Sequence, residues 1–145
     1  MTFRACAIIP TYRHIDALDG VVAHLVAMGL PVIVVDDGNE EHDMRAIAAI
    51  CRKHDGVTLE RNAINSGKGA AVLTGLEAAM ARGFTHALQV DADGQHDIAR
   101  SGEILEIARA NPEALVSGAP IFDDSIPRAR LAARWLTHVW VSINT

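Results

Sequence analysis

The sequence predicts an α/β domain built on an open, mostly parallel sheet with helices on both faces. Three observations predict it. Short apolar runs alternate with helical patterns along the chain. Several of these runs are continuously apolar, as strands covered on both faces must be. A polar cluster follows each of the first four runs, and open parallel sheets bind ligands outside the carboxyl ends of their strands.

The strands are expected at Ala5 to Ile9, Val32 to Val35, Val57 to Leu59, Ala87 to Val90 and Leu115 to Val116. Amphipathic helices fill the gaps. Ile15, Leu18, Val22, Leu25 and Val26 form the first apolar stripe. Met44, Ile47, Ala48 and Cys51 form the second, and Val72, Leu76, Ala79 and Met80 the third. Ile104, Leu105 and Ala108 form the fourth. Gly29, Gly56 and Gly83 follow three of the helices, where a left-handed terminating residue is wanted. Asn111-Pro112 stops the fourth. No internal repeat and no low-complexity segment interrupts the pattern.

A chain of 145 residues suits a single domain, 1–145. A domain of this size buries roughly 70% of its unfolded surface and needs no disulfide staple. Half of the residues are hydrophobic, which excludes disorder as a class. The net charge of −5 and the lack of a lysine-rich stripe argue against a nucleic-acid partner. Cys6 and Cys51 lie far apart on apolar faces and read as buried free thiols; zinc would need more soft ligands at close spacing. The start "MTFRACAIIP" is too short for a signal peptide. No apolar run approaches the roughly 20 residues of a membrane span. These features predict a cytoplasmic protein.

The polar clusters carry the chemistry. They are "PTYRH", "DDGNEEHD", "NAINSGKG" and "DADGQHD". A dinucleotide-binding turn needs glycines after the first strand, and "IIPTYRHID" has none. A phosphate-binding P-loop ending at Lys68 would need glycine where Asn62 stands and a hydroxyl where Gly69 stands. An EF-hand beginning at Asp91 would need glycine at His96 and glutamate at Gly102. "DADG" is similar to the aspartate pair of haloacid-dehalogenase-like phosphatases. That pair follows the first strand of its fold, however, and here it follows the fourth.

A divalent cation on a diphosphate accounts for the residues better. Asp91 and Asp93 stand two apart where a strand ends and the chain must bend, so both carboxylates can face one ion. Gln95 can add an amide oxygen. These hard oxygens suit Mg²⁺ or Mn²⁺, and Mg²⁺ takes only one or two protein carboxylates beside phosphate and water. A solvated Asx turn is the plainer alternative for the same residues. Asp36 and Asp37 can accept from a base N–H or a ribose hydroxyl, or can compensate the N-terminal charge of the following helix. Gly67 and Gly69 allow close backbone approach and Lys68 offers a point charge to phosphate, unless "NSGKG" is only a flexible helix entry. His14, His42, His54, His86 and His138 share no spacing and read as surface or core residues. His96 has two readings, as a group behind the metal or as an acceptor contact.

Taken together, "IIPTYR", "VIVVDDGN", "NSGKGAAV…G" and "DADGQHD" resemble a family 2 glycosyltransferase. Order and spacing both match, over Ala5 to about Pro120. The last piece is most similar to the branch of dolichyl- and polyprenyl-phosphate glycosyltransferases. The resemblance implies the Rossmann-like GT-A fold and a nucleoside-diphosphate sugar donor. It implies that Pro10, Thr11 and Tyr12 line the nucleotide pocket and that Asp37, with Asp36 behind it and Gly38 beside it, meets the base or ribose. It places Lys68 and Ala92 near the donor. It makes Asp91 and Asp93 the catalytic pair, holding with Gln95 the Mg²⁺ or Mn²⁺ that bridges the donor diphosphate. The implied acceptor is a polyprenyl phosphate or another lipid-linked or glycan acceptor.

The chain departs from that family at Arg13, where asparagine is usual, and at His14, where many members carry glutamate. "VSGAPIFDD" lacks the arginine of the family's Gly-Ser-Arg, leaving Arg128, Arg130 or Arg134 to replace its phosphate contact. An amphipathic helix is expected at about 127–145, with Leu131, Trp135, Leu136, Val139 and Ile143 on its apolar stripe. It has three readings: a cover for the sheet, a pairing surface for a second copy in a homo-oligomer, or a peripheral contact with the inner face of the membrane. The stop at "WVSINT", inside this helix, reads as a C-terminal truncation. That leaves a donor-binding module without transfer as the alternative function, ahead of the phosphatase.

Overall fold

The computed structural model describes residues 2–94 and 98–118. Gln95, His96, Asp97 and the helix expected at 127–145 lie outside the described residues. The elements run β1 (Ala5–Thr11), α1 (Leu18–Ala27), β2 (Val32–Asp37), α2 (Glu41–Arg52), β3 (Val57–Asn62), α3 (Lys68–Ala81), β4 (His86–Gln89), a 3-10 turn (Ile98–Arg100) and α4 (Ser101–Ala110).

The four described strands form one parallel sheet in the order β3-β2-β1-β4. The apolar runs sit at its centre because every residue of β2 is buried, on both faces. Alternation sorts them. Ala7, Ile9, Val32 and Val34 face Leu18, Val22 and Leu25 of α1 and Ile47 and Cys51 of α2. Cys6, Ile8, Ile33 and Val35 face α3 on the other side. Each fully buried aliphatic side chain contributes about 1.5–3 kcal/mol.

α3 differs from the expected stripe. It buries Ala71, Gly75, Ala78 and Ala79, while Leu76 is 38% and Met80 is 74% exposed. The sheet beneath presents the large residues Ile8, Ile33 and Val35, so the helix needs small residues to approach. A Cβ on Gly75 would lie 2.4 Å from Ile8 Cγ2. Volume complementarity, not hydrophobicity, sets the buried face.

The expected strand at Leu115 to Val116 is not formed; residues 115–118 are irregular and Leu115 is 96% exposed. Two apolar residues between a turn and Ser117-Gly118 make too short a run to pair without a neighbour. β3, in contrast, runs to Asn62, three residues beyond its apolar part, because its pairing with β2 continues through Asp36↔Arg61 and Asp37↔Asn62.

The chain steps from β1 to β2 to β3 in one direction, then returns to lay β4 on the opposite side of β1. The strand order therefore reverses at β1. A crevice outside the carboxyl ends of β1 and β4 follows from that reversal.

Candidate functional site

A cavity of about 390 Å³ opens at that crevice. Its walls come from three places. The end of β1 supplies Pro10, Thr11, Tyr12 and His14. Asp37, Asn65, Gly67, Lys68 and Ala71 come from the end of β2 and the entry to α3. Asp91, Ala92 and Asp93 come from the turn after β4. The fold thus brings together Pro10, Thr11, Tyr12, Asp37, Lys68, Asp91, Ala92 and Asp93 of the residues singled out in the sequence.

Asp37 is 2% exposed, and its carboxylate organises the wall around it. Oδ1 accepts from Asn62 Nδ2 at 2.8 Å and from the Ser66 N–H at 3.2 Å, and Oδ2 accepts from the Gly67 N–H at 2.9 Å. The loop before α3 is therefore folded onto the buried side chain of Asp37. The Gly67 N–H also lies 3.0 Å from Asn65 Oδ1.

Asp36 and Gly38 lie outside the cavity wall. Asp36 is fully buried; its Oδ1 accepts from both the backbone N–H and the Nδ2 of Asn39, at 2.9 and 2.7 Å. Its Oδ2 forms no hydrogen bond and is met by Arg61 Nε at 3.3 Å as an ion pair. Gly38 has φ 70°, and a Cβ there would lie 2.3 Å from the Asn65 backbone nitrogen. It is the point where the β2 turn and the 64–65 backbone touch.

At the wall formed by the turn after β4, Asp91 Oδ1 is met at 2.5 Å by Lys68 Nζ, reaching over from the entry to α3, and accepts from Gln89 Nε2 at 3.3 Å. Among the described residues, no group of three or more His, Cys, Asp or Glu side chains is assembled to hold a metal ion. Asp91 and Asp93 are the hard-oxygen donors on this wall, and Gln95 lies outside the described residues. Two carboxylates suit a cation that draws its remaining ligands from phosphate and water.

The sequence reading missed His14 and Asn65 as wall residues. Both carry a local signal: each falls inside a polar cluster that directly follows a strand. Thr11 Oγ1 donates to the His14 carbonyl at 3.0 Å and closes the turn that presents His14.

The family model described as glycosyl transferase family 2 matches residues 6–141. The chain belongs to glycosyl transferase family 2. This glycosyl transferase domain is 30% identical over 122 residues to a polyprenol monophosphomannose synthase of Mycolicibacterium smegmatis, covering 79% of this chain and 44% of that protein. It is 33% identical over 92 residues to a dolichyl-phosphate beta-glucosyltransferase of Trichomonas vaginalis, covering 61% of this chain and 27% of that one. The matched stretch is less than half of either relative. The parallel sheet with helices on both faces is the α/β architecture anticipated for the glycosyl transferase domain. Among its described residues, no helix is long and apolar enough to cross a membrane.

Proposed function

We propose that this domain moves a sugar from a nucleoside-diphosphate sugar to a polyprenyl phosphate or a similar lipid-linked or glycan acceptor, with Mg²⁺ or Mn²⁺. The observation that carries the reading is the convergence of Asp37, Lys68, Asp91 and Asp93 on one cavity at the strand-order reversal. The similarity to a polyprenol monophosphomannose synthase and a dolichyl-phosphate beta-glucosyltransferase supports the acceptor class.

In this reading Pro10, Thr11 and Tyr12 shape the nucleotide side of the cavity, and Asp37 holds the loop that faces it. Asp36 holds Asn39 in the turn after β2, and Gly38 lets that turn approach the 64–65 backbone closely. Lys68 offers its ammonium to the diphosphate. Asp91 and Asp93 would hold the divalent cation, with Gln95 as a third oxygen, and a cation held there would offset negative charge on the leaving diphosphate. The acceptor oxygen attacks the anomeric carbon, the bond from that carbon to the diphosphate oxygen breaks, and a nucleoside diphosphate leaves. A phosphate acceptor is already anionic and brings its own nucleophile, whereas a hydroxyl acceptor needs a base.

The experiment is a thermal-shift series with UDP and GDP, each with and without Mn²⁺. A rise in Tm that needs both components, and that Asp93→Ala removes, supports the reading. No shift with any nucleoside diphosphate overturns it. The second reading is a donor-binding module without transfer. It predicts the same stabilisation but no sugar transfer to a polyprenyl phosphate.

A further inference from the structure

We infer that Asn39 is a positioning residue for the ligand cavity, acting through the backbone of Arg13. The inference rests on the donor-pocket reading above. Asn39 stands in the turn after β2 and is 4% exposed. Its side-chain amide is engaged at both ends. Oδ1 accepts from the Arg13 N–H at 2.7 Å. Nδ2 donates to the Thr11 carbonyl at 3.0 Å and to Asp36 Oδ1 at 2.7 Å. Arg61 closes the far end of the chain through its ion pair with Asp36.

Arg13 is the one non-glycine residue at positive φ among the described residues, at 61°. That region is unfavourable for a residue carrying a Cβ, so some contact must hold it there. Asn39 supplies that contact. The buried amide oxygen of Asn39 would lose this donor if the turn relaxed, and a buried unsatisfied group is costly.

The consequence falls on the two neighbours of Arg13. Tyr12 and His14 both line the cavity, while the Arg13 side chain does not. Its guanidinium lies over the Tyr12 ring, 5.1 Å from the centroid. The left-handed residue turns the chain between two wall residues, and Asn39 locks the turn. The backbone of Arg13, rather than its charge, sets the shape of this wall.

The test compares four variants. Binding of UDP and GDP with Mn²⁺ is measured by calorimetry, and amide exchange at the Arg13 N–H is measured by NMR without ligand. Asn39→Ala and Arg13→Val are each expected to weaken binding about tenfold and to speed exchange at residue 13. Valine resists positive φ and its site is exposed, so this variant folds even if Asn39→Ala does not. Arg13→Gly is expected to bind within about twofold of the parent, because glycine adopts the turn without strain. The double variant Asn39→Ala, Arg13→Gly is expected to bind more tightly than Asn39→Ala alone. Unchanged binding in Arg13→Val, or no rescue in the double variant, overturns the inference. So does an Arg13→Gly loss equal to that of Arg13→Val, which would assign the effect to the guanidinium. If the parent protein binds neither nucleotide, the donor reading fails by itself. The exchange measurement then decides alone, and a protected Arg13 N–H in Asn39→Ala overturns the lock.

Discussion

The ammonium of Lys68 lies 2.5 Å from Asp91 Oδ1, joining the first turn of α3 to the turn after β4 across the cavity. The Lys68 side chain is 57% exposed, so the pair contributes little to stability. Its value is positional, because it keeps a cation beside the acidic wall.

Lys68→Met is therefore expected to separate binding from folding. Affinity for UDP or GDP should fall about tenfold, the scale of one charge-assisted phosphate contact. Affinity for the bare nucleoside should not change. Denaturant stability should move by less than about 1 kcal/mol. Equal losses for nucleoside and nucleoside diphosphate, read by calorimetry, would contradict a phosphate role.

Gly38 gives a steric prediction. A Cβ there meets the backbone of Ile64 and Asn65 at 2.3 Å, and φ is 70°. Backbone atoms have nowhere to rotate. Gly38→Ala is expected to cost about 3 kcal/mol or more, beyond the usual overpacking range, because the backbone conformation is strained as well. Equilibrium unfolding in urea measures this. A change below about 1 kcal/mol would mean the loop repacks freely.

Gly75 offers a milder counterpart inside α3. Its φ is ordinary, so alanine gains about 1 kcal/mol of helix propensity. The added Cβ must displace Ile8 Cγ2 at 2.4 Å in a packed core, which costs about 1–3 kcal/mol. Gly75→Ala is expected to be destabilising on balance, by about 1 kcal/mol. Ile8→Ala in the same chain should make the Gly75→Ala change favourable, and a double-mutant cycle reads that change of sign.

The two cysteines set an alkaline limit. Burial pushes the thiols of Cys6 and Cys51 up to about 11, from an ordinary value of 9.0. The folded state thus holds these protons more tightly than the unfolded chain. Stability from this source is complete below pH 9 and is lost as pH rises towards 11. Each thiol contributes on the order of 2 kcal/mol to that fall. Unfolding curves from pH 8 to 11 should flatten in Cys6→Ala and Cys51→Ala. Neither thiol should react with a disulfide reagent at pH 8 before the protein unfolds.

Periodicity and turn chemistry alone marked the strand–helix alternation, the four strands that form together with a fifth at Leu115 to Val116 that does not, and the clustering of polar loops at the carboxyl ends of the strands. These are local properties, since an apolar run such as Val32 to Val35 declares itself wherever it lies. Turn chemistry also marked Asp37, Asp91 and Asp93 where strands stop and Lys68 in the glycine-rich entry to α3, whereas Pro10, Thr11, Tyr12 and Ala92 were singled out by the family resemblance. Periodicity does not separate Asp36 from Asp37. The family resemblance put Asp37 in front with Asp36 behind it, and only the tertiary structure decided what holds them apart: Asn39 and Arg61 engage Asp36 beneath the turn, and Gly67 engages Asp37 at the wall. The same holds for the small-residue face of α3, which depends on the bulk of Ile8, Ile33 and Val35 beneath it. Contacts between residues distant along the chain are three-dimensional facts, and periodicity does not encode which partners a side chain at a strand end will meet.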